Sequence, residues 1–372
     1  NRASMSAAKE SVLATVQALV DVEQRVLLNA VQAYMNMIRA TEIVALRQNN
    51  VRLITQELRA ARDRFEVGEV TRTDVSLAEA RLAAARAELA AAQGDLETAR
   101  ETYNVAVGQY PGALSRPPAP PMTARTESEA KAVAQRRHPQ VLQAQHEVQV
   151  AELNIARAEA AMKPRLTGQL GVTLGANDQQ QRVLRNGAST STGTIGSSIS
   201  SSAGVQLSAP IYQGGALSAA LRKAMAQRDA SRSSLLQTTL TVGQNVGNAW
   251  AQVSVAQARL QASQRQVRAA QVAYEGFREE ARLGARTTLD VLNAEQELLD
   301  ARANRITAEI DQYVAIYTLL SAMGLLTVDH LDLGVVTYDP ADYYNAVKDA
   351  PLREVSPQGE KLDSVLRRLG KD

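Results

Sequence analysis

Two aspartates stand at matched places in the sequence: Asp74 and Asp290 each follow a glycine, Gly68 and Gly284, by six residues. A carboxylate so placed suits the first turns of a helix, where the macrodipole favours negative charge. A glycine so placed suits the left-handed residue that closes the helix before it. This is chemistry of charge placement rather than of bond making. Cysteine is absent, which removes thiolate nucleophiles, disulfides and Cys-based metal sites. The three histidines are His138, His146 and His330. The first two are spaced to share a helix face, but no third ligand accompanies them, so no metal is expected. No nucleophile–base pair, P-loop or dinucleotide fingerprint occurs. The sequence therefore predicts no catalytic residue, no cofactor and no enzyme.

The composition points the same way. Lys and Arg number 41 against 39 Asp and Glu, a formal net charge of +2, which argues against nucleic acid as a partner. Aromatic residues make up only 3% of the 372, with one Trp and two Phe. Alanine fills many apolar positions instead, and alanine seams favour long helices packed side to side over a thick globular core. No run of 18 apolar residues occurs, so no membrane-spanning helix is expected. The chain starts at Asn1 and shows no signal peptide, as a mature or truncated form does.

The elements that carry the two aspartates are repeated. Shifting the sequence by 216 positions brings Val26 onto Val242, Asn29 onto Asn245 and Ala33-Tyr34 onto Ala249-Trp250. Further along, Arg62 meets Arg278, Gly68 meets Gly284, and Asp74-Val75 meets Asp290-Val291. Ala78-Glu79, Leu82, Ala85 and Arg86 then meet Ala294-Glu295, Leu298, Ala301 and Arg302, with no gap from Val26 to Arg86. Each repeat reads as a long helix, a break at the glycine and a return helix. Val51, Ile54, Leu58, Ala61 and Phe65 are spaced alternately by three and four, as are Val267, Ala270, Tyr274, Phe277 and Ala281. That spacing is a knobs-into-holes seam. The second return helix changes phase, to Ala303, Ile306, Ile310, Tyr313, Tyr317 and Leu320, which predicts a change of packing partner or of supercoil. Residues 5–66 and 217–282 contain no proline, so each helix spans roughly 90–100 Å at 1.5 Å per residue, and an elongated architecture is expected.

Between the repeats, Gly108, Pro111, Gly112, Pro117, Pro118, Pro120 and Pro121 mark a connector. A helix is expected from near Glu127 and another from His138-Pro139 to about Met162, stopped by Pro164. The period then falls to two. Leu166, Gly168, Leu170, Val172 and Leu174 alternate with polar or small residues, and so do Ile199, Ser201, Ala203, Val205, Leu207, Ala209 and Ile211. A polar loop from Asn177 to about Ser197 is expected between these strands, and Tyr212 is placed for an interfacial aromatic girdle. Two strands of roughly ten residues fit a membrane β-hairpin; a small amphipathic hairpin packed on the helices is the alternative. Two strands cannot cross a bilayer alone, because their edges stay unpaired, so several chains would have to pool strands into a barrel. After Gly324 the sequence reads as short elements, with a turn at Asp339-Pro340 and a basic helix over Lys361–Leu369.

The motifs Arg64-Phe65-Glu66-Val67-Gly68 with Thr73-Asp74-Val75, Ala209-Pro210-Ile211-Tyr212-Gln213-Gly214-Gly215, and Leu283-Gly284-Ala285-Arg286-Thr287 with Asp290-Val291-Leu292 occur in this order. With them the chain resembles the TolC-type outer-membrane efflux proteins over nearly its whole length, and its tail is similar to alphaproteobacterial members. The resemblance implies a mainly α fold with a small β part. Long antiparallel coiled-coil hairpins would form a trimeric α-barrel through the periplasm, and strands from three protomers an outer-membrane β-barrel. It divides the chain into a first helical hairpin (1–107), an equatorial connector (108–135) and a helix leading to the barrel (136–163). An outer-membrane β-hairpin (164–213), a second helical hairpin (214–322) and a C-terminal equatorial segment (323–372) follow. Family members carry two strand pairs, and Asn1 aligns just after the second pair, with Leu217, so a helix and two strands are expected to precede it.

The resemblance also implies roles. Val67, Gly68, Leu283 and Gly284 would lie at the periplasmic tip and contact the hairpin of an adaptor protein. Asp290 and Asn293, a turn apart, would face the pore axis, where three copies of Asp290 make a carboxylate ring that attracts cations and narrows the passage. Members often have a second Asp where this chain has Asn293, so the ring charge is halved. Arg286 would act as a latch by pairing with Thr73 and Asp74 of an outer hairpin, while Ala281 replaces a latch tyrosine. The implied function is a homotrimeric channel-tunnel of a tripartite efflux or type I secretion system. Its partners would be a periplasmic adaptor (membrane fusion) protein, an inner-membrane transporter of RND or ABC type, and outer-membrane lipid. A periplasmic coiled-coil adaptor or scaffold without a pore is the alternative.

Overall fold

The computed structural model describes residues 2–112, 114–117, 124–185, 188–333 and 364. The elements in chain order are α1 (Arg2–Glu66), α2 (Arg72–Val107), α3 (Glu127–Arg137), α4 (Pro139–Ala161), β1 (Arg165–Arg185), β2 (Ala188–Ser208), α5 (Ala216–Arg282), α6 (Thr288–Ala322) and α7 (Val328–Leu331). The two proline-free stretches are single helices of 65 and 67 residues. The expected turn at Asp339-Pro340, the helix over 361–369 (Ser364 excepted) and Pro118, Pro120 and Pro121 lie outside the described residues.

The described chain forms two compact units. The larger unit, residues 13–144 and 236–372, holds α2, α6 and most of α1 and α5. Its packing repeats as the sequence does. In the first hairpin Ile54 and Leu58 of α1 pack on Ala78, Leu82 and Ala85 of α2, flanked by Val51 and Val75. In the second, Ala270 of α5 packs with Leu298 and Ala301 of α6, flanked by Val267 and Tyr274. Each of the five positions of the second cluster has its counterpart in the first at the 216-residue offset. Volume is exchanged within the layer: the bulk of Ile54 shrinks to Ala270 while Leu58 grows to Tyr274. The phase change along α6 does bring a new partner. Ile310 packs on Met35 and Ile38 of α1, with Tyr34 and Tyr313 beside them.

The connector crosses this seam. Tyr34 donates its hydroxyl hydrogen to the Ser115 carbonyl and Tyr313 donates to Pro117 O at 3.2 Å. Arg116 bridges Glu42 of α1 and Glu309 of α6. At the junction of α3 and α4, His138 is buried, which lowers its pKa, and Pro139 opens α4. Gly324 (φ +76°) lies against this junction, and a Cβ there would come within 2.7 Å of His138 Cα, so backbone packing itself requires glycine.

The smaller unit comprises residues 1–12 and 145–235. His146 Nδ1 lies 2.8 Å from Glu10 Oε2, and Arg232 reaches Glu152 at 2.6 Å. β1 and β2 form an antiparallel hairpin that corrects the expectation in two places. Each strand has 21 residues, with continuous pairing from Arg165↔Ser208 to Arg185↔Ala188, where a polar loop over 177–197 was expected. A ladder is made of backbone hydrogen bonds and does not need apolar side chains. The strand also ends at Ser208, so Ala209, Ile211 and Tyr212 fall beyond it. Pro210 has no N–H to donate, which stops the ladder. The register puts Leu166 opposite Leu207, Gly168 opposite Val205, Leu170 opposite Ala203 and Leu174 opposite Ile199, so the apolar residues of both strands share one face.

Candidate functional site

Both hairpins turn through the same local structure. α1 ends at Glu66, Gly68 takes φ +78°, and Glu69 N donates to Arg64 O at 2.8 Å. α5 ends at Arg282, Gly284 takes φ +79°, and Ala285 N donates to Glu280 O at 2.9 Å. These six-to-one bonds with a left-handed glycine satisfy the last helical carbonyls. Nothing lies within 4 Å of a Cβ built on either glycine, so the positive φ alone selects the residue type. Val67 and Leu283, the residues just before them, are 77% and 85% exposed.

Three residues past each glycine the return helix starts at a threonine cap. Thr71 Oγ1 accepts from Asp74 N, and the Asp74 carboxylate accepts from Thr71 N (3.0 Å) and Thr71 Oγ1 (2.7 Å). Thr287 and Asp290 repeat this, with 3.1 and 2.8 Å from Thr287 N and Oγ1 to Asp290 Oδ2. Both aspartates are thus the acidic members of capping boxes. The backbone and hydroxyl hydrogen bonds from Thr287 hold the Asp290 carboxyl below its ordinary value, with Arg286 adding a smaller pull.

The two tips share a cleft of about 700 Å³, whose lining includes Glu69, Thr71 and Asp74 from the first and Gly284, Arg286 and Thr287 from the second. Within the described chain Arg286 is not bonded to Thr73 or Asp74. Its Nε donates to Glu280 Oε2 at 2.8 Å, and its guanidinium sits 4.6 Å from the Phe277 ring centroid. Both side chains of that pair are about half exposed and solvent screens their charges, so the pair is weak. Ala281 also lines the cleft. Asn293, a turn beyond Asp290, accepts at Oδ1 from Arg81 Nη2 of α2 at 2.8 Å, a tie between the two hairpins.

The sequence marks Phe277 only as a seam residue and gives no signal for Glu280 or Arg81. Residues six or nine apart on opposite sides of a turn, or 212 apart on different hairpins, form no periodic pattern. The repeat aligns Arg62 with Arg278 and Glu79 with Glu295 but does not mark them as pairs across each hairpin. The structure joins Arg62 to Glu79 at 2.6 Å and buries Glu295. Among the described residues, no group of three His, Cys, Asp or Glu is placed to hold a metal ion.

Comparison with known proteins agrees with this architecture. Residues 1–109 and 132–325 match the outer membrane efflux protein family. The chain is 37% identical over 359 residues to the outer membrane efflux protein BepC of Brucella suis biovar 1 (strain 1330), covering 96% of this chain and 76% of that protein. It is 25% identical over 353 residues to the outer membrane protein TolC of Escherichia coli K12, covering 92% and 70%. The solved structure of CusC shares the fold with a TM-score of 0.73 at 20% identity, over 87% of this chain and 73% of that one. With two repeated helical hairpins, one β-hairpin and these matches, the chain belongs to the outer membrane efflux protein family.

Proposed function

We propose that three copies of this chain form a channel-tunnel of the outer membrane and periplasm, which takes substrates from an inner-membrane pump, delivered through an adaptor, to the outside. The observation that carries this is the apolar face of the β-hairpin. Leu166, Leu170, Val172, Leu174, Ile199, Val205 and Leu207 are all at least 70% exposed, with Leu170 at 91%. Residues 166–174 and 199–207 hold this face, about the length a tilted strand needs to cross a hydrocarbon core. A two-stranded sheet leaves its outer edges unpaired, and lipid cannot satisfy them, so the hairpin must join other strands edge to edge. A periplasmic scaffold without a pore has no use for such a face.

At the helical tips, conduction needs the paired hairpins to part. Asp290 copies form the ring that narrows the passage, with Asn293 one turn further in. In the closed trimer Arg286 exchanges Glu280 for Thr73 and Asp74 of a neighbouring hairpin. A contact this exposed is weak enough to be undone by a partner. Val67 and Leu283, with the glycines beside them, offer the adaptor exposed apolar tips at defined turns. The partner transporter is of RND type in drug efflux or ABC type in protein secretion.

Single-channel recording in planar bilayers tests the reading, with wild type beside Arg286→Ser. A small conductance that rises in the variant is expected. Absence of conductance in both, with both proteins soluble without detergent, removes the channel and favours the scaffold.

A further inference from the structure

The two hairpins repeat one acid–base pair in sequence but not in space. Arg62 Nη2 and Glu79 Oε1 meet at 2.6 Å across α1 and α2, with both side chains about half exposed. The equivalent residues 216 positions on are Arg278 and Glu295. Glu295 is only 5% exposed, and neither of its carboxylate oxygens has a hydrogen-bond partner among the described residues. It borders a cavity of about 150 Å³ among α1, α5 and α6, whose wall includes Asn49, Asn50, Tyr274 and Arg278. An ionised carboxylate held there without a partner bears its desolvation cost uncompensated, whereas the neutral acid does not.

The groups that face Glu295 settle which way it responds. α1 contributes Glu57, and α5 contributes Tyr274 and Arg278. Arg302 stands on its own helix, where its Nη2 donates to Gln271 at 2.6 Å. Burial first, then the charge of Glu57, raise the Glu295 pKa from 4.5 to about 7, against the pull of Arg278. Burial likewise raises the Tyr274 hydroxyl, followed by the charges of Glu295 and Glu57. Glu295 therefore changes charge near neutrality in this packing, and Arg278 is the cation aligned with the one its repeat partner already uses.

We propose that Glu295 is a proton-controlled switch of the second hairpin: neutral, it stays unpaired and buried against α1, and ionised, it turns to Arg278 on the cavity wall and pairs with it as Glu79 pairs with Arg62, shifting α6 on α1. The first hairpin shows that a helix pair of this sequence pattern accommodates the bonded arrangement. Asp290 and Asn293 lie within two turns of Glu295 on the same helix, so its movement carries them. The consequence for conduction rests on the channel reading, whereas the movement itself does not. The buried state is favoured in acid and loses ground as pH rises from 4.5 towards 7. At tenfold per pKa unit, the balance changes on the order of 10²-fold over that span.

The chain contains no cysteine, so labels can be placed cleanly at Gln56→Cys on α1 and Glu297→Cys on α6 of the full protein. Spin-label distances would be measured from about pH 5 to about pH 8.5. A change of distance with its midpoint between 4.5 and about 7 is expected, lost in Glu295→Gln, which keeps the acid distance throughout, and retained in Glu79→Gln. Arg278→Gln removes the charge that favours ionisation, so its midpoint moves up. An unchanged wild-type distance, or a transition that survives Glu295→Gln, overturns the switch. If Glu295→Gln does not fold, the Arg278→Gln midpoint decides: an upward shift supports the proposal and an unmoved midpoint rejects it. Conductance recorded on the same preparations reads the channel separately, so a distance change in a non-conducting protein keeps the switch and counts against the channel.

Discussion

Three carboxylates in this protein share a chemical type and differ in what surrounds them. Asp74 and Asp290 are held by threonine caps, while Glu295 is buried without a bond. The pH signatures of Asp290 and Glu295 are opposite in sign. Asp290 is held below its ordinary value, so its contribution to stability is present above that value and is lost as pH falls through its native one. Glu295 is raised. Below 4.5 it is protonated folded or unfolded and makes no difference; from 4.5 to about 7 the unfolded chain ionises first and stability drops; above that the loss is constant. Glu295→Gln should therefore raise the melting temperature above pH 7 and leave it unchanged near pH 4, which thermal unfolding by circular dichroism can follow. Thr71→Ala and Thr287→Ala each remove a cap and should cost about 1 kcal/mol in denaturant unfolding.

Helices as long as α1 and α5 owe their persistence to what they pack on, and here the seam is built on alanine. Ala301 is fully buried and Ala85 nearly so, each between two helices of its hairpin. Ala85→Leu or Ala301→Leu should destabilise the protein by about 1–3 kcal/mol through overpacking. If the hairpins must slide to open, these variants should also alter conductance, and unchanged conductance in both would count against sliding. The turns are the other constraint at this scale. Gly68→Ala and Gly284→Ala force a Cβ into the left-handed region and should cost on the order of 1 kcal/mol each, with no clash to relieve, as urea titration would show.

For the whole molecule the β-hairpin decides the setting. Its apolar face has no covering partner within the smaller unit, and its alternation stops where the hydrocarbon thickness would be spanned. Leu170→Asp with Val172→Asp should abolish flotation with liposomes while leaving the helical circular dichroism intact, because the helices fold on their own seams. The same substitutions would leave a water-soluble scaffold's behaviour unchanged, so the assay separates the two architectures.

The sequence by itself determined the repeat, the helix limits, the glycine breaks and the alternating strand residues, because periodicity and turn chemistry are local properties of the chain. Only the tertiary structure decided how equal motifs come to differ. Arg62–Glu79 and Arg278–Glu295 are indistinguishable by spacing. One hairpin leaves its carboxylate at the surface beside the arginine, while the other, packed on α1, encloses it. Likewise Arg286 stands at the expected position, but its partner in the chain is Glu280, since the choice among nearby carboxylates depends on side-chain direction at a turn. Burial and pairing arise from which surfaces meet, and no pattern along the chain encodes that directly.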